Sequence, residues 1–181
     1  MPTGYDPLTG ALYTTKRKRI AASFTRPSNT TAYAAGDVVG PVTTDAVETL
    51  SGAGRTNGGT GRVVAATLET NLATVTNGTF RVHLFNTSFT PEADNAAFAS
   101  LHANRNYYQG SFDFNILVAD SASAAAAVAQ LRNATDIDNG IPLEFECAAG
   151  DSALYAVIVA LAAYTPASAQ VFRLSLVVEQ D

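Results

Sequence analysis

The stretch QGSFDFNILVAD, residues 109–120, has an apolar side chain at every second position from Phe112 to Val118. Its apolar positions are Phe112, Phe114, Ile116 and Val118. Asp113 and Asn115 lie between them, so one side of an extended chain would be apolar and the other polar. This period of two predicts a half-buried antiparallel strand.

Further stretches of similar character are separated by Gly, Pro, Asn and Asp turn signals at short spacing. They cover residues 19–25, 33–39, 62–72, 77–86, 141–149, 154–164 and 170–179. Many short strands with few helices are typical of a β-sandwich or barrel. We therefore predict an all-β fold, a jelly-roll β-sandwich of about eight antiparallel strands in two sheets.

One or two short helices and an extended N-terminal arm complete the predicted fold. Residues 91–104 resemble one short helix, because Phe98 and Leu101 are three residues apart and acidic residues lie near its start. Residues 121–132 are rich in alanine, which favours a helix by propensity, although a long covering loop fits equally.

The run from Leu154 to Tyr164 is apolar throughout. It predicts a strand covered on both faces, with one face against a neighbouring subunit. It is far shorter than the roughly 20 apolar residues of a membrane-spanning helix, so no membrane partner is expected.

The chain has 181 residues and is expected to form one domain, residues 19–181, preceded by an arm of residues 1–18. Charge is divided unevenly between these parts. Residues 1–19 contain four basic residues and one acid, whereas the remainder contains seven basic and fifteen acidic residues. An acidic body argues against duplex DNA, and no specific nucleic-acid partner is expected.

The four basic residues are consecutive, Lys16 to Arg19. Such a cluster contacts anionic surfaces by non-specific attraction, or it is a solvated patch at the entry to the first strand. Both interpretations fit the sequence.

The residues that commonly carry catalysis are few and scattered. His83 lies within a strand pattern and His102 near the end of the predicted helix, without a partner nucleophile for either. Cys147, the single cysteine, fits a buried thiol in a strand, and Asp136 to Gly140 fits a polar turn better than a calcium loop. No catalytic residue, metal site or cofactor is predicted, and the chain is expected not to be an enzyme.

Two stretches of the body carry a resemblance to a known family. IAASFTRPSNTTAYAAGDVVG, residues 20–40, and FRVHLFNTSFTPEADNAAFASL, residues 80–101, are similar to jelly-roll proteins that decorate or cement the capsids of tailed bacteriophages. The strands YAVIVALAAYTP, residues 155–166, and VFRLSLVVEQ, residues 171–180, follow in the expected order. The resemblance covers most of the body and excludes the arm.

The resemblance implies a structural virion protein on the outer surface of the capsid. Its partners would be the major capsid protein, across whose subunits it binds, and copies of itself in a homotrimer. The contacts with the shell are expected from Tyr5, Leu12, Tyr13, Lys16, Arg17, Lys18, Arg19 and Arg26. Arg26 and Pro27 would stiffen a contact edge, although a simple strand-connecting loop also explains them.

A carbohydrate-binding or receptor-binding β-sandwich module of a virion is the alternative function. Tyr107, Tyr108 and Tyr164 would then stack on sugar rings. Tyrosines are equally common at subunit interfaces, and the chain contains no tryptophan.

Overall fold

A computed structural model describes residues 3–5, 12–14, 16–41, 47–71, 78–114, 118–119, 127–130 and 141–181. In these residues the regular secondary structure is almost entirely β-strand. The first strands are β1 (Thr3–Tyr5), β2 (Leu12–Thr14), β3 (Lys16–Thr25), β4 (Val38–Val39), β5 (Glu48–Leu50), β6 (Thr60–Thr70) and β7 (Phe80–Phe85). The later ones are β8 (Tyr108–Phe114), β9 (Val118–Ala119), β10 (Ala127–Gln130), β11 (Leu143–Glu146), β12 (Leu154–Ala160) and β13 (Val171–Gln180).

Two antiparallel sheets contain all of these strands except β1 and β2. The first sheet has the order β3-β13-β6-β10-β9, with β11 also paired to β6. The second sheet has the order β4-β12-β7-β8, with β5 also paired to β12. Several neighbouring strands are distant in sequence, since the first long strand, β3, pairs with the last, β13.

This connectivity is that of a jelly roll, which confirms the predicted fold class. The chain crosses repeatedly between the sheets, from β3 in the first sheet to β4 and β5 in the second, back to β6, and then to β7 and β8 in the second. β10 and β11 occupy one strand position beside β6, and β4 and β5 occupy one position beside β12. With these two interrupted positions counted once, each sheet contributes four strands to the sandwich, and β9 adds a short edge.

The core lies between the two sheets and is built from alternate residues of each strand. On β7, Phe80, Val82 and Leu84 are fully buried in it, as their alternation predicts. Aromatic rings join the sheets, because Phe80 makes an edge contact with Phe172 of β13, with ring centroids 5.6 Å apart. Phe172 in turn stacks on Phe24 of β3 at 5.6 Å.

The predicted helix over residues 91–104 is wrong. This segment consists of turns and extended backbone, and the one helical turn in the described residues is a 3-10 turn at Arg105–Tyr107. The reason lies in its hydrogen bonds, since the amides of Asn95 and Phe98 donate to the carbonyls of Val38 and Gly36. Backbone groups committed to another segment are not available for a helix.

The helix favoured over residues 121–132 is also wrong where the structure describes it. Ala127–Gln130 form β10, which pairs with Thr67 to Thr70 of β6. Pairing with the exposed edge of a sheet overrides the helical propensity of alanine. Residues 121–126, 131 and 132 lie outside the described residues, as does the predicted turn at 136–140.

The strand predicted over residues 109–120 is shared between the two sheets. Tyr108–Phe114 form β8, with Phe112 and Phe114 buried in the core as predicted. Val118–Ala119 form β9 in the other sheet. The stretch therefore contains the crossover from one sheet to the other, and residues 115–117 within it lie outside the described residues.

The strand β12 is covered on both faces, as predicted, but its second face packs against the chain itself. Ile158 faces the main core, whereas Val157 and Val159 belong to a separate apolar cluster on the outer side of the second sheet. Its other buried members are Val38 and Phe85, joined by Val47, Phe89, Phe98, Leu101, Tyr108 and Tyr155. Much of this outer cluster comes from the segment 89–108, so a neighbouring subunit is not needed to cover the strand.

The sandwich begins earlier than the sequence predicts. β3 starts at Lys16 and is paired with β13 over its whole length, from Lys16 opposite Gln180 to Thr25 opposite Val171. Residues 16–18 therefore belong to the sheet and not to an arm. The described residues before them form an antiparallel pair, in which Tyr5 is opposite Leu12.

Candidate functional site

The four basic residues Lys16 to Arg19 form the first part of β3, and all four are exposed. They are called the basic segment below. Because side chains alternate along a strand, Arg17 and Arg19 lie on the outer face of the first sheet, opposite to the buried Ile20. The Lys18 ammonium donates to the carbonyl of Gly52 at 3.0 Å, which ties the basic segment to the turn after β5.

A row of alternating charges crosses the first sheet at this end. Arg17, Glu179, Arg62 and Glu144 are opposite one another on the neighbouring strands β3, β13, β6 and β11. The Glu179 carboxylate accepts from Arg17 Nε at 2.8 Å and from Arg62 Nε at 2.6 Å. These two hydrogen bonds lower the pKa of Glu179, so it is ionised when the sheet is folded.

Two side chains of the basic segment are bound by other described residues of the chain, and two are not. Arg17 is held by Glu179, and Lys18 by the Gly52 carbonyl. No acidic residue in the described part of the chain forms an ion pair with Lys16 or Arg19. As far as the described residues go, these two exposed cations of the basic segment are available to an anionic partner.

The predicted contact residues of the arm are paired through their backbones. Tyr5 is opposite Leu12, and Tyr13 is opposite Gly4, in the β1–β2 pair. The side chains of Tyr5, Leu12 and Tyr13 lie outside what the structure describes. Their contact with a shell stays a prediction.

Arg26 is wrongly predicted as an exposed contact, because its side chain is completely buried. Its guanidinium donates to Asp94 at 3.0 Å, to the Ala167 carbonyl at 3.4 Å and to the Tyr33 hydroxyl. It also lies 4.6 Å from the centroid of the Tyr33 ring, within the range of a cation–π contact. Arg26 fixes the corner internally and is not available to a partner.

Asp94 is the partner that sequence reasoning misses. Its carboxylate accepts from Arg26, from the Tyr33 hydroxyl at 2.5 Å and from the Gly40 amide at 3.0 Å. The sequence suggests a helix-capping role for Asp94, since its Asp-Asn pair opens the predicted helix. Because Arg26 and Asp94 are 68 positions apart, no local signal connects them.

The histidine and cysteine residues occupy packing positions or the surface. His83 is buried between Phe98 and Tyr108 in the outer cluster, with ring centroids 5.0 and 5.8 Å away. Burial, reinforced by repulsion from Arg81, lowers the pKa of His83 to about 4. Cys147 is a buried thiol, as predicted, and its burial raises its pKa.

The buried His83 should make stability depend on pH. An unfolded histidine has its ordinary pKa near 6.5, so the unfolded state binds the proton first as pH falls. The contribution of His83 to the free energy of unfolding should therefore decrease as pH falls from about 6.5 to about 4. His83→Gln should remove on the order of 2–3 kcal/mol of this loss, measured by urea unfolding at pH 7 and pH 4.

The matched control for this prediction is His102→Gln, because His102 is exposed. That variant should keep the pH dependence of the wild type. An unchanged pH dependence in His83→Gln would contradict a neutral, buried His83.

The tyrosines proposed as a sugar platform do not form one. Tyr164 is buried, and its hydroxyl donates to Gln170 Oε1 at 2.5 Å. Tyr108 is half-buried in the outer cluster, which leaves Tyr107 as the one large apolar side chain that is exposed among the described residues. The expectation of three stacking tyrosines is therefore wrong.

An open pocket of about 600 Å³ lies beside the row of charges, between β6, β8 and β11. Its lining includes Arg62, Gln109, Glu144, Phe145, Glu146 and Asp181. Gln109 is used within the chain, since its Oε1 accepts from the Glu146 amide at 2.8 Å. Within the described ranges, His, Cys, Asp and Glu side chains nowhere form a group of three that could hold a metal ion.

No family model matches the chain, and a search of curated proteins finds no match. Solved structures give weak likenesses, including a chain of "Cyanophage Pam1 capsid asymmetric unit" at 14% identity and a TM-score of 0.36, covering 100% of both chains. A Desmodium yellow mottle tymovirus chain has 10% identity and a TM-score of 0.30, with 99% of this chain and 94% of that chain covered.

A Turnip yellow mosaic virus chain has 13% identity and a TM-score of 0.27, covering 99% of this chain and 89% of that chain. TM-scores of this size do not establish a common fold, so the jelly-roll assignment rests on the strand pairing itself. In the described residues, no helix has the length and apolar character needed to cross a membrane.

Proposed function

We propose that this chain is a structural virion protein that decorates and stabilises the capsid of a tailed bacteriophage, binding as a homotrimer across major capsid protein subunits on the outer surface. It acts by adhesion and not by catalysis. The observation that carries the proposal is the jelly-roll sandwich with an exposed basic segment at the start of its first long strand.

The jelly roll supports this role because its two sheets bury their inner faces against each other. Capsid proteins are one class of protein built on this fold, alongside lectins and cupins. The outer surface of such a sandwich is then available for contacts. The sequence resemblance to decoration proteins favours a capsid protein over a lectin or a cupin.

The basic segment supports attachment to an acidic surface. Lys16 and Arg19 are exposed, and the basic segment directly follows the arm in the sequence. Charges at the edge of an interface attract and orient a partner of opposite sign. In a trimer, three such attachments at fixed spacing strengthen one another without any new kind of contact.

Deletion of residues 1–15 tests the attachment. Because β3 begins at Lys16, the truncated chain keeps the whole sandwich and should remain folded. We expect it to bind more weakly than the full chain to shells of the encoding phage that have been purified without this protein, because it keeps Lys16 and Arg19 but lacks the arm. Cosedimentation with these shells measures the loss, and circular dichroism checks the fold.

A full-length variant with Arg55→Glu provides the control, because Arg55 is exposed on a different loop and should not alter attachment. Undiminished binding of the truncated chain would show that the arm is not the attachment element. Failure of the full-length chain to bind any such shell would remove the proposed function.

A further inference from the structure

The strand β3 forms an edge of the first sheet, and alternate backbone groups point away from its neighbour. The amide of Arg26, just after the strand, donates to the carbonyl of Gln170 at 3.0 Å. In an antiparallel ladder, hydrogen-bonded pairs recur at every second residue. The even-numbered residues of β3 therefore bond to β13, and the odd-numbered ones point outward.

The other side of β13 agrees with this assignment. The amide of Asn71 donates to the carbonyl of Val171 at 3.2 Å, so the odd-numbered residues of β13 bond to β6. The even-numbered residues of β13 therefore form the backbone hydrogen bonds to β3. The outward-pointing residues of β3 are then Arg17, Arg19, Ala21, Ser23 and Thr25, all of which are exposed.

Among the described residues, nothing protects this edge along residues 20–25. Native sheets usually block an exposed edge with charged residues, proline or a bulge. The basic segment does so for residues 16–19, whereas residues 20–25 carry no charge and no proline. No backbone group elsewhere in the described residues bonds to the outward side of β3.

We propose that the outer edge of β3 accepts an extended acidic segment of the major capsid protein as an added antiparallel strand. This partner rests on the proposed function. Strand addition supplies main-chain hydrogen bonds for affinity, and the side chains facing the edge supply specificity. Acidic residues opposite Lys16 and Arg19 would provide the counter-charges that the described residues of this chain do not.

Charge also distinguishes this occupant from a second copy of the chain. Parallel pairing of two β3 edges would bring the basic segments together. Antiparallel pairing about Ala21 would place Arg19 opposite Ser23 of the other copy, which gives no counter-charge. An added acidic strand would form hydrogen bonds with the outward backbone groups of β3 and would also place negative charges near Lys16 and Arg19.

A defined peptide tests the edge independently of any capsid. The probe is the octapeptide acetyl-Thr-Val-Thr-Val-Glu-Val-Thr-Glu-amide, with binding measured by calorimetry on the full chain. When its first residue is opposite Ser23, its two Glu residues are opposite Arg19 and Lys16. Ser23→Pro removes an outward N–H without removing a bond to β13, and it should weaken binding about tenfold or more. Ser23→Ala keeps the N–H and should bind like the wild type.

A second readout does not depend on how a variant folds. The same peptide methylated on the backbone nitrogens that face β3 should lose binding to the wild-type protein, since it cannot donate those hydrogen bonds. Arg19→Glu should weaken binding of the unmodified peptide, whereas Arg55→Glu should not. Equal binding of the two peptides, or no binding of either, would overturn the proposal.

Binding to shells distinguishes the added strand from the decorating role itself. We expect wild-type protein to cosediment with shells that lack it, Ser23→Ala to do the same, and Ser23→Pro to be released. If Ser23→Pro binds as well as the wild type, the added strand is refuted and the decorating role remains. If Ser23→Pro has a lower mass by light scattering, β3 joins copies of this chain, and the acidic partner is refuted.

Discussion

Replacing Arg26 with alanine should lower the free energy of unfolding by about 3–5 kcal/mol. The substitution leaves the buried Asp94 carboxylate without its counter-ion and removes the cation over the Tyr33 ring. A buried, uncompensated charge costs far more than the net contribution of the original pair. Urea unfolding at pH 7, followed by circular dichroism, measures the change.

Arg173→Ala is the matched control for this prediction. Arg173 lies on the first sheet and is 3.8 Å from Glu69, but its side chain is 54% exposed. An exposed ion pair of this kind contributes roughly 1 kcal/mol or less. Similar losses in the two variants would contradict a buried, structurally essential Arg26.

Replacing Phe80 with alanine should destabilise the sandwich by a similar amount, about 3–5 kcal/mol. Phe80 is fully buried, and its ring makes edge contacts with Tyr164 and Phe172, each with centroids 5.6 Å away. Because Phe172 belongs to the opposite sheet, the substitution would leave a cavity between the two sheets and remove their aromatic contact at this point. Thermal and urea unfolding of the variant measure the loss.

Tyr107→Ala tests whether burial, and not aromatic character alone, causes this effect. Tyr107 is 43% exposed on the 3-10 turn, and its truncation should change stability by about 0.5 kcal/mol or less. Phe80→Leu should fall between the two, since it retains part of the buried volume. A Phe80→Ala variant as stable as Tyr107→Ala would contradict the described core.

Alternation along the chain predicts most of the strands because it reports directly on which face is buried. The residues Phe80, Val82 and Leu84 are in the core as their spacing predicts, and β6 and β13 follow the predicted ranges closely. A half-buried strand needs a period of two wherever it lies in the fold. This signal is local, so sequence reasoning can use it.

The errors concern segments whose structure is decided by distant partners. Residues 91–104 have a helical spacing, but their amides are bound by Gly36 and Val38, which no local pattern reveals. Arg26 looks like an exposed corner residue until its contact with Asp94 is known. The alanine-rich Ala127–Gln130 becomes a strand because β6 offers an unpaired edge.

The candidate contact surface is predictable only in part. The sequence identifies the basic cluster Lys16 to Arg19 from composition alone. It does not reveal that Arg17 forms an ion pair with Glu179 or that Lys18 donates to the Gly52 carbonyl, because these contacts depend on the pairing of β3 with β13 and on the turn after β5. Within this cluster, Lys16 and Arg19 are then the cations whose side chains are not bound by a described residue.

Electron cryomicroscopy of the virion of the encoding phage tests the decorating role most directly. The expected density shows trimers of this jelly roll on the outside of the shell, with the start of β3 facing the major capsid protein. A well-resolved shell that carries no copy of this chain on its outer surface would contradict the role.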